Sequence, residues 1–147
     1  MRRTPPEVVT ATVEVEVRYA ETDQMGVVHH ANYLVWFELA RTRLCAESGF
    51  HYSEIERLGY LLMVSGATLR YRAGARYGDR VGVTAWVERM GSRGLAFGYA
   101  VRRGEELLAT GTTEHIWVEA ATRRPAVTPA PLREPFRRLA GRGAPPC

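Results

Sequence analysis

The chain has 147 residues, 46% hydrophobic and 24% charged, which suits a single domain around one core and fits poorly with two cores or with disorder. No apolar run is long enough to cross a bilayer, and the basic start Met1-Arg2-Arg3 leads into no apolar signal core, so neither membrane insertion nor a secretory leader is expected. The net charge is +4 and the pI about 9.4, but the pairs Arg2-Arg3, Arg102-Arg103, Arg123-Arg124 and Arg137-Arg138 are scattered; they read as solvated surface or as attraction for a polyanionic ligand, and no nucleic-acid motif accompanies them.

Val9, Ala11, Val13, Val15, Val17 and Tyr19 alternate with Thr10, Thr12, Glu14, Glu16 and Arg18. A period of two predicts a strand with one buried face. Ala20 to His30 breaks the pattern and reads as a loop. Asn32 is placed to cap a helix from about Tyr33 to Glu47, with Gly49 as its terminator. Tyr33-Leu34-Val35-Trp36-Phe37 is apolar on every side, which predicts burial nearly all round; Arg41, Arg43 and Glu47 are expected at solvent positions. A short helix is predicted over Ser53–Leu58, closed by Gly59.

From Leu62 to Val118 the signal is mostly strand. Gly66 is a candidate bulge, Tyr77-Gly78-Asp79 and Gly91-Ser92-Arg93-Gly94 are turns, and Arg103-Gly104-Glu105 is a hairpin. One strand, one apolar helix and then successive antiparallel strands indicate an α+β domain, most simply a sheet curled around the helix. The whole chain, 1–147, is read as one domain. Residues 1–7 and those from about 132 to 147 are expected to be flexible or peripheral tails, the latter rich in proline.

Aspartate occurs at Asp23 and Asp79 alone. Asp79 follows a glycine in a turn, where a short polar side chain is needed. Asp23 lies between a buried strand and a buried helix, close to Gly26 and the pair His29-His30. It can be an ordinary loop cap. It can also be the base or nucleophile of acyl transfer to water, with N–H donors at the start of the following helix facing the developing oxyanion. Gly26 would let the backbone turn sharply there. His29 and His30, being adjacent, would point apart in regular structure, and with no spaced ligand cluster no metal site is expected. Cys45 and Cys147 read as free thiols, consistent with a reducing cytoplasm, and Cys45 as a packing residue in its helix. No Gly-x-Ser-x-Gly elbow is present.

The run from Arg18 to Glu38, RYAETDQMGVVHHANYLVWFE, resembles the signature of the 4-hydroxybenzoyl-CoA thioesterase family, most closely its Tol-Pal-associated bacterial branch. Tyr77-Gly78-Asp79, Thr110-Gly111-Thr112-Thr113 and Arg123-Arg124-Pro125 are weaker matches, and the resemblance extends over about Val13 to Pro131. It implies a hotdog fold and hydrolysis of a small or medium acyl-CoA without metal or organic cofactor, coenzyme A being part of the substrate. It also implies a homodimer or homotetramer with active sites at the subunit interface. By the same resemblance Asp23 is the catalytic carboxylate and the backbone N–H of His30 polarises the thioester carbonyl. Tyr19 and Asn32 frame the site.

In related proteins basic and hydroxyl residues around the turn between late strands meet the nucleotide, and by that resemblance Arg89, Ser92 and Arg93 are the expected coenzyme A contacts; a guanidinium also suits a phosphate. Tyr33, Trp36, Phe37, Leu61, Leu62 and Met63 could line an acyl pocket, though most are expected to be core. Two other readings stay open: a hotdog hydratase or dehydratase of enoyl thioesters, and an acyl-CoA-binding protein without catalysis.

Overall fold

A computed structural model describes residues 8–141. The alternating segment becomes β1 (Thr10–Glu16), followed by a 3-10 turn over Tyr19–Glu21, then α1 (Asn32–Glu47) and α2 (Tyr52–Arg57). Four long strands follow: β2 (Tyr60–Tyr71), β3 (Arg80–Met90), β4 (Gly94–Arg103) and β5 (Glu106–Glu119). All pairings are antiparallel, in the order β1-β3-β4-β5-β2. The predicted bulge lies in β2, where the register with β5 shifts between Val64 and Gly66. The predicted hairpin is a two-residue connection from Arg103 to Glu106, with Gly104 at a φ of 61°.

The inner face of the sheet carries Val81, Val83, Ala85 and Val87 of β3, with Phe97, Tyr99 and Val101 of β4, all buried. Against it packs the stripe Tyr33, Trp36, Phe37, Ala40, Leu44 and Cys45 of α1. The Phe37 ring stacks on Tyr99, with centroids 4.1 Å apart and planes 2° apart. Gly111 makes this close approach possible: a Cβ there would stand 2.6 Å from the Phe37 ring and 2.7 Å from the Thr68 carbonyl oxygen. Helix and curved sheet form the expected hotdog arrangement, and burying a large apolar side chain in it contributes about 2 kcal/mol.

Three expectations change. First, α1 is buried on one side only. Val35 is 51% exposed and Leu39 49%, with Leu34 beside them at 38%. One five-stranded sheet covers only the stripe that faces it, so the remaining apolar positions look outward. Second, Arg41 is not at a solvent position but buried at 8% exposure. Its guanidinium lies under α2, where Nε donates to the Tyr52 hydroxyl (2.9 Å) and Nη1 to the Tyr99 hydroxyl (3.1 Å). Third, the segment expected as a peripheral tail from about 132 folds as α3 (Ala130–Ala140). Its Leu132, Phe136 and Leu139 join the core, and Trp117 meets Phe136 edge-on. Pro131 sits in the first turn, where its missing N–H costs nothing. Residues 1–7 and the end of the other tail, with Cys147, lie outside the described residues.

From Arg41 a polar chain crosses the core. The Tyr99 hydroxyl bonds the Thr113 hydroxyl (2.6 Å), which bonds His115 Nε2 (2.8 Å). Burial first, then the Arg41 charge, push the His115 imidazole down to about 3, with the Leu62 carbonyl opposing them weakly. The native imidazole therefore stays neutral where an unfolded one takes up a proton, near pH 6.5. A depressed folded value stabilises fully above about pH 6.5, and that contribution drains away as pH falls toward 3. Urea unfolding should show a loss approaching about 1.4 kcal/mol per pH unit below pH 6. His115→Gln should flatten that slope; equal slopes in both proteins would refute the assignment.

Candidate active site

The loop between β1 and α1 is built on Glu21. The 3-10 turn ends there, and an antiparallel bridge joins Thr22 to Val28. Above that bridge the chain makes a tight excursion. The Asp23 N–H donates to the Val27 carbonyl (2.9 Å) and the Gly26 N–H to the Asp23 carbonyl (3.0 Å). Gly26 has a φ of 80° with open space around it. Backbone conformation, rather than room, is what glycine supplies at this position. The Val28 N–H bonds the Ala75 carbonyl (2.9 Å), which fixes the loop to the segment after β2.

Asp23 is partly exposed. Its Oδ1 accepts the Met25 N–H at 2.8 Å, an Asx turn that fixes the rotamer. Oδ2 accepts no hydrogen bond from a described residue. The loop-cap role and an exposed, oriented carboxylate are thus present in the same side chain.

The entry to α1 departs from the expected cap. Ala31 occupies the cap position and Asn32 is the first helical residue. Asn32 reaches backward instead, Nδ2 donating to the Glu21 carbonyl at 2.9 Å. The same carbonyl accepts the His29 N–H at 2.8 Å. The first helical amides are taken by tight bonds: Asn32 to His29, Tyr33 to His30 and Leu34 to Ala31. The Ala31 N–H reaches His29 Nδ1 at 3.3 Å. Among the amides from His29 to Leu34, only that of His30 finds no acceptor among the described residues. The His30 carbonyl is held from outside by the Tyr71 hydroxyl at 3.0 Å. The two histidine rings do not point apart. They lie 4.1 Å apart and tilted by 33°, because the chain at this point belongs to neither strand nor helix.

Asp23, Gly26 and His30 therefore share one short loop, and Asn32 opens the helix that follows it. Tyr19 stands beside the loop, 75% exposed, edge-on to Tyr77 at 5.7 Å. Tyr33, a candidate for the acyl pocket and for the core, is buried between Trp36 and Tyr71. Trp36 and Phe37 are core as well, Leu61 and Leu62 are partly buried, and Met63 is exposed on β2.

Arg89, Ser92 and Arg93 are not brought to Asp23. The Asp23 loop adjoins the start of β3, where the Val17 N–H bonds the Asp79 carbonyl. Arg89 and the turn with Ser92 and Arg93 lie at the other end of that 11-residue strand, roughly 30 Å away. Arg89 is engaged with Glu114 at 2.9 Å, while Ser92 and Arg93 are exposed.

Two groups at the site were not singled out from the sequence. Glu21 is buried although charged, and Tyr71 braces the His30 carbonyl. The indole of Trp36, read as lining or core, donates from Nε1 to Glu21 Oε2 at 3.0 Å. Composition gives no sign that one glutamate among many is inside. Cys45 is a buried free thiol, and desolvation pushes it up to about 12, so it supplies no thiolate for chemistry.

The sequence pattern of the Thioesterase-like superfamily matches residues 17–136. YneP of Bacillus subtilis, whose name proposes an acyl-CoA thioesterase, is 42% identical over 113 residues, 76% of this chain and 82% of that protein. The Escherichia coli acyl-CoA thioester hydrolase YbgC is 30% identical over 64% of this chain and 70% of its own length. Among solved structures, a DHNA-CoA thioesterase from Staphylococcus aureus superposes with a TM-score of 0.84 at 32% identity, covering 88% of this chain and 90% of that one. A hypothetical protein from Thermus thermophilus gives 0.80 at 38% identity, covering 88% and 97%. With a matched family pattern over most of its length and the same helix-in-sheet architecture, the chain belongs to the Thioesterase-like superfamily.

Proposed function

We propose that this protein hydrolyses the thioester of a small or medium acyl-CoA to the free acid and coenzyme A, with Asp23 as base or nucleophile and the His30 N–H as oxyanion donor. The observation that carries the reading is one loop holding two unused groups of opposite kind. Asp23 Oδ2 and the His30 amide both lack a partner among the described residues, while Met25 and Glu21 fix their surroundings. A thioester carbonyl oxygen placed at the His30 N–H, near the positive end of α1, would gain stabilisation as negative charge develops on it. As a base, Asp23 takes a proton from the attacking water, the carbon–sulfur bond breaks and the departing thiolate receives that proton. As a nucleophile, Asp23 attacks the carbonyl carbon, the thiolate leaves and is protonated from solvent, and water then hydrolyses the mixed anhydride to release the acid and restore the carboxylate. The chemistry calls on no metal or organic cofactor. The names of the relatives support acyl-CoA as the substrate class. The arginine-to-glutamate run at 18–38 supports the 4-hydroxybenzoyl-CoA family and its Tol-Pal-associated branch, and a reducing cytoplasm is the proposed location. No described helix is long and apolar enough to cross a membrane.

The proposal includes a homodimer or homotetramer with the site at a subunit interface. β2 is a 12-residue edge strand with no described strand on its outer side. Met63, Val64 and Tyr71 on it are exposed, as are Leu34, Val35 and Leu39 on α1. Two copies pairing antiparallel through β2 would satisfy the open edge. That pairing would also set the Asp23 end of one copy beside the partner's β3–β4 turn. Ser92 and Arg93 could then serve a coenzyme A phosphate from across the interface, which they cannot do within one chain.

Wild-type protein should release free thiol from a panel of acyl-CoAs, and Asp23→Asn should lower kcat at least about 100-fold without loss of fold. An active Asp23→Asn enzyme would sink the mechanism. Binding without turnover across the panel would favour the non-catalytic reading, and loss of enoyl absorbance without thiol release the hydratase. Label on the Asp23 carboxylate after a single turnover in oxygen-18 water marks a nucleophile, since a base keeps both of its own oxygens. Sedimentation should give a dimer or tetramer, and a monomer with full kcat would contradict the interface site.

A further inference from the structure

Glu21 has a side chain only 6% exposed, at the hinge of the loop just described. A carboxylate in that position costs several kcal/mol unless its oxygens are bonded. They are: Oε2 accepts the Trp36 indole N–H at 3.0 Å, and Oε1 accepts the Arg18 backbone N–H at 2.8 Å. The Arg18 guanidinium adds a longer contact at 3.5 Å. The backbone of the same residue is equally engaged, its carbonyl holding the His29 N–H and the Asn32 side chain. One residue thus joins the end of β1, the first turns of α1 and the peptide preceding His30.

We propose that Glu21 is a positioning residue: by clamping the Trp36 indole with its side chain and the His29 N–H with its carbonyl, it fixes the angle between Asp23 and the free His30 amide. The proposal rests on the reading of Asp23 and His30 as the working pair. Asp23 lies two residues after Glu21, inside the excursion that its neighbour Thr22 closes with Val28, and His30 lies nine residues after Glu21, just beyond that excursion. With the Glu21 side chain released, the carbonyl turns away from His29 and Asn32. The His29–His30 peptide then gains freedom, and the donor no longer faces the carbonyl that Asp23 approaches. Glu21 touches no reacting atom, so its loss slows the chemical step and leaves substrate binding largely intact.

Three variants test this in the full-length protein with an acyl-CoA the wild type hydrolyses. Glu21→Ala should lower kcat about 100-fold, the effect of roughly an ångström of misplacement, with KM changed less than about threefold. Glu21→Gln retains an oxygen for the indole and should recover most of kcat. Trp36→Phe removes the indole donor from the other side and should lower kcat in the same sense. Added to Asp23→Asn, Glu21→Ala should cost little more. Amide hydrogen exchange gives a readout without substrate: His29 should be protected in the wild type and exchange at least about tenfold faster in Glu21→Ala. A folded Glu21→Ala protein with wild-type kcat, or unchanged His29 exchange in Glu21→Ala, would overturn the proposal. If no acyl-CoA is turned over by the wild type, the functional reading falls, and the exchange of His29 still decides whether Glu21 holds the loop.

Discussion

The carbonyl oxygen of Glu21 is the joint on which the site is hung. It receives the His29 N–H and the Asn32 side chain together, so the turn entering α1 cannot rotate independently of the strand that precedes the loop. Everything chemically useful nearby follows from that restraint. The early amides of α1 are consumed in tight turns, and the His30 amide is left over. An open helix start offers several donors of equal standing. Here the competition is reduced to one, at a place where the carboxylate of Asp23 is also held by its own turn.

Behind this joint the core has an unusual division. Its mass is apolar and aromatic, with Phe37 laid flat on Tyr99 above Gly111. Through it runs a polar thread from Tyr52 to Arg41, Tyr99, Thr113 and His115. The guanidinium meets phenol oxygens and, among the described residues, no carboxylate. Its charge is felt by His115, which is kept neutral partly on that account. Directional bonds of this kind set the rotation of α1 over the sheet more tightly than apolar contact can. The rotation of α1 in turn sets where its first turn points.

The frame was legible in the sequence because it rests on periodicity and turn chemistry. β1 alternates, Gly104 marks its hairpin, and the apolar run after the loop is the helix against the sheet. Asp23 was legible as a loop carboxylate between two buried elements, and the role proposed for it rests on the resemblance at 18–38. Less was legible where a polar residue turns inward. Arg41 sits at the edge of an amphipathic stripe, and periodicity alone cannot tell a buried arginine from an exposed one. Asn32 has the right identity for a cap, yet its amide found a better acceptor behind it. α3 was hidden by its prolines: Pro131 suits the first turn, while Pro135 is carried inside the helix with its side chain buried. Arg89, Ser92 and Arg93 were grouped with Asp23 by family likeness, and strand direction sends them to the opposite end of one chain.

The shift of register between Val64 and Gly66 has a consequence for the company this protein keeps. A long strand open on one side is an invitation to any extended segment that passes, including those of half-made chains on a ribosome. A bulge bends and twists the strand that carries it, so a straight intruder loses contact within a few residues on either side. The irregular spot thus makes the open edge a poor template for a straight strand.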